Sequence, residues 1–127
     1  MADDRSPPSA GTPSAPGASS SERADALRAM VEADPRDELA RLLLGNELLS
    51  LGAREESVVH LSAYVATFEG DKGAAFLALG RAHAALGDRG AALEAIDRGI
   101  ANARAHRHLQ LVASLEAERA DIEGAAS

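Results

Sequence analysis

Two histidines one residue apart, His106 and His108, have the spacing in this sequence that comes nearest to a metal-ligand pair. On a helix, residues i and i+2 point to different sides, whereas helical zinc pairs use i and i+4. Arg104 and Arg107 lie beside them and would repel a cation. The sequence contains no cysteine, so it offers no thiolate ligand, disulfide or cysteine nucleophile. We therefore predict neither a metal nor any other cofactor.

Groups that could catalyse a reaction are equally sparse. No Ser/His/Asp set stands out, no glycine-rich phosphate loop follows a strand, and no carboxylate pair lies on a clearly buried face. Glu55 and Glu56 open a predicted helix, where the helix dipole favours negative charge. These observations predict a protein that is not an enzyme.

The charge of the chain restricts its partners. The 127 residues carry a net charge of −7, and acidic and basic side chains alternate along the sequence. A nucleic-acid-binding protein normally has a basic stripe, which this pattern does not provide. No apolar stretch approaches the ~20 residues that cross a bilayer, and the acidic N-terminus lacks the apolar core of a signal peptide. The sequence predicts a soluble, cytoplasmic protein that binds neither nucleic acid nor membranes.

The elements that must position any functional residue are helices, preceded by a segment of different composition. Residues 1–20 are dominated by Pro, Ser, Gly and Ala and are predicted to form a disordered tail, because they cannot bury enough surface to offset the entropy of ordering. The remainder is rich in Ala, Leu, Glu and Arg, which favours helix over strand. Apolar stripes and turn residues indicate six helices, with Asp34 as the cap of the second and Asp71 as the cap of the fourth. Short links between them require antiparallel neighbours.

A Leu-Gly pattern occurs twice in the helical part, at an offset of 35 residues from 45 to 80. The two copies read Leu42-x-Leu44-Gly45-x5-Leu51-Gly52 and Leu77-x-Leu79-Gly80-x5-Leu86-Gly87. A repeat of this length that is helical throughout is typical of stacked helical hairpins. Such arrays present extended binding surfaces, so the pattern favours recognition over catalysis.

The repeated glycines have two different roles in this pattern. Gly52 and Gly87 follow the last apolar residue of a helix and are expected to end it. Gly45 and Gly80 fall inside helices, where glycine costs ~1 kcal/mol relative to alanine. We interpret them as points where two helices approach closely, with the small residues Ser57 and Ala92 filling the facing space.

This repeat resembles the tetratricopeptide repeat family, whose signature is W-x2-L-G-x2-Y, then A-x3-F, then P. The second copy reads Phe76-x2-Leu79-Gly80-x2-His83 and Ala92-x3-Ile96, and the first reads Arg41-x2-Leu44-Gly45-x2-Leu48 and Ser57-x3-Leu61. Both copies lack the tryptophan, the tyrosine and the closing proline. The resemblance implies an all-α fold of about six helices, in which antiparallel hairpins stack as a short right-handed superhelix. It divides a domain of residues 21–123 into a half repeat (21–34), two repeats (35–71 and 72–104) and a capping helix (105–123).

In this family the first helix of each hairpin lines a concave groove, and the resemblance assigns that role to ten positions here. They are Leu39, Leu42, Leu43, Asn46, Leu49, Ala74, Leu77, Ala78, Arg81 and Ala84. Asn46 and Arg81 are equivalent, and an amide can hold a peptide backbone while a guanidinium can bind a carboxylate. The family's carboxylate clamp is incomplete, because Leu42 stands where it needs lysine and Ala78 where it needs asparagine.

The resemblance thus implies a non-catalytic protein–protein interaction module, whose groove binds a peptide segment or an amphipathic helix of a partner. Two alternatives remain open. One is a homo-oligomeric structural module that self-associates through an exposed leucine face, and the other is an accessory subunit of an enzyme complex. The groove leucines are also compatible with a place in the core, since leucines surround most of the second helix.

Overall fold

The computed structural model describes residues 20–125, which form six α-helices. They are α1 (Ser20–Ala33), α2 (Glu38–Ser50), α3 (Arg54–Thr67), α4 (Gly73–Ala85), α5 (Arg89–Ala105) and α6 (Leu109–Ala125). Helices account for 83 % of the described residues, which contain no strand. The prediction of an all-α fold with about six helices is confirmed. The tail predicted for residues 1–20 lies, up to residue 19, outside the described residues.

The helix ends at the repeated glycines follow from local backbone chemistry. Gly52 and Gly87 both have φ of +82°, the left-handed conformation that side-chain-bearing residues rarely adopt. They end α2 and α4 as predicted. Asp88 caps α5, because its carboxylate accepts a hydrogen bond from the Ala91 N–H at 3.1 Å.

The two caps predicted at Asp34 and Asp71 are wrong. Asp37, three residues after Asp34, caps α2 by accepting the backbone N–H three residues further on, at 3.0 Å. At the start of α4 the residue in the cap position is Lys72, whose side chain makes no capping bond. Its backbone N–H instead donates to the side-chain oxygen of Asn102 in α5, at 2.9 Å. The Asp71 carboxylate accepts a longer hydrogen bond, 3.4 Å, from the Gly73 N–H, so a tertiary contact and a local one together hold the start of α4.

The six helices form two layers with different spacing. Each helix packs against the next, and α2 also contacts α4 while α4 contacts α6. The backbones of the odd-numbered helices α1, α3 and α5 do not pack against one another in this way. Because one layer is close and the other is spread, the stack curves, with α2, α4 and α6 on its inner side.

The core consists of three clusters arranged along the stack. The first joins α1 and α2 through residues that include Val31, Leu44 and Leu48. The central cluster lies mainly between α3 and α4 and contains Leu61 and Phe76. The third joins α5 and α6. Each hairpin thus shares its core with a neighbour, as expected of a helical repeat.

The two repeated mid-helix glycines mark the closest approach of helices within each hairpin. A β-carbon placed on Gly45 would lie 2.6 Å from side-chain atoms of Leu61, and one on Gly80 would lie 2.5 Å from Cδ1 of Ile96. Both large side chains are fully buried. The space facing each glycine is therefore filled by Leu61 and Ile96, which corrects the prediction that the small residues four positions earlier fill it.

Those small residues, Ser57 and Ala92, lie beside the contact. The hydroxyl of Ser57 donates a 2.7 Å hydrogen bond to the carbonyl oxygen of Gly45. The carbonyl oxygen of Ala92 lies 3.3 Å from a β-carbon placed on Gly80. Their small size allows the two backbones to approach, so they support the close contact without occupying it.

Candidate functional site

The ten predicted groove positions differ in how much the fold covers them. Exposed positions are Leu39, Leu43, Asn46, Ala74 and Arg81. Half-buried positions are Leu42 and Leu49, which pack against the central cluster, and Leu77 and Ala84, which pack against the third cluster. Ala78 is buried. The open apolar side chains of this set are therefore concentrated on α2.

Leu43 and Ala78 occupy equivalent positions, 43 and 78, yet their exposure is very different. Leu43 is 45 % exposed, whereas Ala78 is 8 % exposed. Ala78 belongs to the central cluster, because α4 has α2 beside it in the inner layer. Among residues 20–125, no inner-layer helix precedes α2. One flank of α2 is consequently uncovered.

The first helix, α1, also has a face without a neighbour. Helices α1 and α3 end at positions 33 and 67, so Leu27 corresponds to Leu61, 34 residues later. Leu61 is fully buried because it packs onto Gly45 of α2. Leu27 is only half-buried, and Met30, one turn further, is 48 % exposed. In the described part of the chain, α1 has no first helix of its own hairpin to cover this face.

The two uncovered faces meet in a cleft between α1 and α2, with a volume of about 430 Å³. Its lining residues are Arg23, Ala26 and Leu27 from α1 and Leu43, Asn46, Glu47 and Ser50 from α2. Helical periodicity continues these two faces to Met30 and Leu39, and Leu39 is 64 % exposed. The cleft therefore has an apolar floor and a polar end. It lies where an inner-layer helix preceding α2 would pack.

Only the α2 side of this cleft is among the groove positions predicted from the sequence. The α1 side was missed because the groove positions were transferred from the first helices of hairpins, and α1 is a second helix. The signal was present in Leu27 and Met30, an apolar pair one turn apart on a helix without a hairpin partner. The exposure of these two side chains depends on whether a hairpin partner covers α1, and the spacing of the two residues does not reveal this.

The two side chains of the predicted polar pair, Asn46 and Arg81, lie in different environments. Asn46 lines the cleft between α1 and α2. The Arg81 guanidinium donates a 3.0 Å hydrogen bond to the carboxylate of Glu118, and so connects α4 to α6. Arg81 thus already has a carboxylate partner within the chain. At the cleft rim, Arg23 and Glu47 form a second inter-helix ion pair at 3.3 Å.

A bidentate ion pair connects α1 to α3 outside the cleft lining. Two guanidinium nitrogens of Arg28 each lie 2.7 Å from an oxygen of Glu56. The hydrogen bonds from Arg28 hold the pKa of the Glu56 carboxyl below its usual value, and the carboxylate raises the pKa of Arg28. The bidentate geometry gives this contact a defined orientation between α1 and α3, although both side chains are partly exposed to solvent.

His60 provides a pH-dependent contribution to stability next to this ion pair. Burial lowers the pKa of His60 below its usual 6.5, and the nearby Arg41 guanidinium lowers it further, against the opposing effect of Glu56. The unfolded chain therefore binds a proton more readily than the fold, so stability falls as pH drops below about 6.5. We expect His60→Gln to lose less stability than the wild type between about pH 7.5 and 5.5.

This difference can be measured by urea unfolding at the two pH values, followed by circular dichroism. His106→Gln is the matched control, because His106 is exposed at the end of α5. If the stability of His60→Gln depends on pH as that of the wild type does, or if both variants change equally, the pH-dependent contribution does not come from His60.

At the opposite end of the stack, α6 carries a charged side chain at the position of the inter-helix glycine, and Leu109 at its start is 71 % exposed. Helices α4 and α6 begin at positions 73 and 109, so Glu116 corresponds to Gly80, 36 residues earlier. Glu116 is exposed and pairs with Arg104 at 3.0 Å. A carboxylate thus stands where the internal hairpins have the glycine that accepts a large side chain. At the contact position of the repeat, the described stack is therefore apolar at its N-terminal end, where Leu27 stands, and charged at its C-terminal end.

The two histidines with ligand-like spacing have separate partners. Nδ1 of His108 lies 3.1 Å from a carboxylate oxygen of Asp71, and Nδ1 of His106 lies 2.9 Å from the carbonyl oxygen of Asn102. Between residues 20 and 125, no group of three or more His, Cys, Asp or Glu side chains is arranged to hold a metal ion. None of the described helices is long and apolar enough to cross a membrane.

Comparison with known proteins identifies the fold. No protein-family model and no curated protein matches the sequence. Among solved structures, protein BPP2914 from Bordetella parapertussis is similar with 25 % identity and a TM-score of 0.67, over 79 % of this chain and 86 % of that one. PcrH in complex with the chaperone binding region of PopD is similar with 24 % identity and a TM-score of 0.73, over 82 % and 78 %.

The structure of MamA is also similar, with 24 % identity and a TM-score of 0.62, and the match covers 81 % of this chain but only 62 % of MamA. PcrH and MamA are helical repeat proteins of the tetratricopeptide type. The described residues therefore have a tetratricopeptide-like helical repeat fold, in which α2/α3 and α4/α5 are complete hairpins.

Proposed function

We propose that this protein is a non-catalytic interaction module that binds a helix or apolar segment of another protein in the α1–α2 cleft and on the adjoining inner surface of α2. One observation carries the proposal. Three apolar side chains at the cleft and its extension remain uncovered or half-covered while their counterparts elsewhere in the repeat are buried. They are Leu27, Met30 and Leu43, whose counterparts are Leu61, Tyr64 and Ala78. Leu39, beside them on α2, is also exposed.

The composition of the cleft suits a protein ligand. Burying a leucine or methionine side chain completely contributes roughly 1.5–3 kcal/mol, so covering the exposed portions of four such residues supplies a substantial driving force. Asn46 and Ser50 at one end can exchange hydrogen bonds with a peptide backbone. An apolar centre with a polar rim is the usual composition of a protein–protein interface.

The comparisons support the same class of ligand. PcrH, which shares the fold, has been solved in complex with a segment of another protein, PopD. Curved helical repeats in general provide extended inner surfaces for protein segments. Of the predicted positions on α2, the exposed ones are Leu39, Leu43 and Asn46, and we propose that these contact the ligand.

Leu43→Glu is expected to abolish capture of the partner, because a carboxylate in an apolar cleft loses its hydration without gaining a partner. The matched control is Val59→Glu, since Val59 is 62 % exposed on α3 and does not line the cleft. A photo-crosslinking amino acid at position 43, and in the control at position 59, would identify the captured protein by mass spectrometry. Equal capture by both glutamate variants, with folding verified by circular dichroism, would refute the proposed site.

Homo-oligomerisation through the same exposed leucines, chiefly Leu39 and Leu43, is the second candidate. The net charge of −7 opposes it, because copies repel each other at low ionic strength. Sedimentation analysis distinguishes the two: a species heavier than the 13.1 kDa chain that dissociates in Leu43→Glu would favour self-association. An accessory subunit of an enzyme complex would use the same cleft, and the identity of the crosslinked protein would reveal it.

A further inference from the structure

The internal hairpins show which side-chain sizes a helix needs at the contact in order to fill the cleft. In each hairpin, the second helix inserts one large side chain against a glycine of the first: Leu61 against Gly45, and Ile96 against Gly80. The glycine is required, because a β-carbon there would lie 2.6 Å or 2.5 Å from the inserted side chain. Close packing of this kind tolerates little added volume.

Helix α1 has the large side chain of this contact without the glycine. Leu27 stands at the position equivalent to Leu61, and it is half-buried at the floor of the cleft. On the other wall, Leu39 and Leu43 stand where α4 has Ala74 and Ala78, so α2 offers larger side chains to its neighbour than α4 does. An incoming helix must therefore be small opposite Leu27 and apolar toward α2.

The chain's own last helix does not meet this requirement. Position 116 of α6 is equivalent to Gly80 and carries Glu116, which would meet Leu27 of a second copy with a carboxylate. The remaining charges of α6 are also mostly acidic. A second copy stacked in the register of the internal repeats is thus disfavoured both by shape and by charge.

The net charge of the cleft walls indicates the charge expected of a helix that binds there. Residues 20–50, which form both walls of the cleft and their connection, contain seven acidic and four basic residues, a net charge of −3. Complementary potentials speed association and select partners, and opposite net charges attract. A helix with a basic polar face therefore fits this end of the molecule better than a neutral or acidic one.

We infer that the α1–α2 cleft binds one amphipathic helix of a partner protein that has a net positive charge and a glycine or similarly small residue against Leu27. Such a helix takes the place of the first helix of the incomplete hairpin and continues the interface that α2/α3 and α4/α5 already form. Helices α2 and α4 have 13 residues each, which sets the length that the cleft can cover. The inference rests on the proposed function and specifies its ligand.

The chain itself contains a suitable probe. Residues 72–86 include Lys72, Gly80 and Arg81 and no acidic residue, so as a peptide with blocked ends they form a basic first helix of the repeat type. Titration of this peptide into the isotope-labelled full chain should shift the amide signals of α1 and α2 in a saturable manner. The same peptide with Gly80→Leu should bind about tenfold more weakly or worse, because a side chain at that position collides with Leu27.

Two further comparisons separate cleft binding from other events. Leu43→Glu in the full chain should weaken binding of the probe by about tenfold or more, whereas Val59→Glu should leave it unchanged. A probe in which Lys72 and Arg81 are replaced by glutamate should bind more weakly at low salt, and the difference should shrink at high salt. Circular dichroism establishes that each chain variant is folded.

Several outcomes would overturn the inference. These are no binding of the probe, equal binding of the Gly80→Leu probe, or shifts centred on α4 and α5, which would mean that the peptide exchanges with native α4. A wild-type dimer that dissociates as the probe binds would assign the cleft to a second copy instead. If the probe fails but a partner still crosslinks at position 43, the proposed function stands and only this description of the ligand is wrong.

Discussion

Truncation of Phe76 to alanine is expected to lower the free energy of unfolding by about 3–5 kcal/mol, because it leaves a cavity that the surrounding helices can fill only in part. Phe76 is 2 % exposed and belongs to the central cluster between α3 and α4. Its ring also lies 5.0 Å from the guanidinium carbon of Arg98 in α5, a cation–π contact that the truncation removes.

Small domains are stable by only about 5–15 kcal/mol, so this loss is a large part of the total. Urea unfolding followed by circular dichroism measures it, together with the dependence of unfolding free energy on urea concentration. Phe68→Ala is the matched control: Phe68 is half-buried and stacked on Tyr64, with ring centroids 5.0 Å apart. Truncation of Phe68 should lower the free energy of unfolding clearly less. An equal loss in both variants would contradict the conclusion that Phe76 is a main contributor to the core.

Replacement of Gly99 by alanine is expected to destabilise the protein by about 1–3 kcal/mol, although alanine is the better helix former. A β-carbon on Gly99 would lie 2.7 Å from Cβ of Phe76 and 3.0 Å from Cδ2 of Leu115. The Cβ of Phe76 is fixed to the backbone of α4 and cannot rotate away. Helices α4 and α5 would have to separate to admit the added methyl group.

Gly90→Ala is the control within the same helix. Gly90 is exposed, and a β-carbon there would have no heavy atom within 4 Å. That substitution is expected to be neutral or stabilising by up to about 1 kcal/mol, since it only reduces the freedom of the unfolded chain and improves helix propensity. Thermal unfolding of the two variants tests the contrast, and stabilisation by Gly99→Ala would show that the helices are not in close contact at this point.

The regular part of the fold follows from short-range pattern in the sequence. Gly52 and Gly87 end their helices because glycine adopts the left-handed conformation at low cost, and this depends on no distant residue. The offset of 35 between Gly45 and Gly80 predicts the close contact in each hairpin. The identity of the side chain that fills the contact was mispredicted, because spacing along one helix does not specify which turn of the next helix stands opposite.

The helix caps also show that local sequence does not specify every contact. Asp34 and Asp37 are both good capping residues in the same link, so local chemistry allows a helix to begin after either. In the structure α2 begins after Asp37, which makes the capping bond, while the Asp34 carboxylate accepts the Arg36 N–H at 3.0 Å within the link. At α4 the side chain of Asn102 accepts the Lys72 N–H at 2.9 Å, a shorter hydrogen bond than the 3.4 Å bond from the Gly73 N–H to Asp71. Such choices depend on contacts between residues far apart in sequence.

The amino-acid sequence by itself determined the helical class, the repeat, the register and the residues that share the inner face of α2. It did so because helical periodicity and glycine conformation are local properties. Only the tertiary structure decided which of those residues remain open: Leu43 is exposed and Ala78 is buried at equivalent positions. The physical reason is that burial depends on the neighbouring helix: α4 has α2 before it in the inner layer, whereas no inner-layer helix precedes α2 in the described residues.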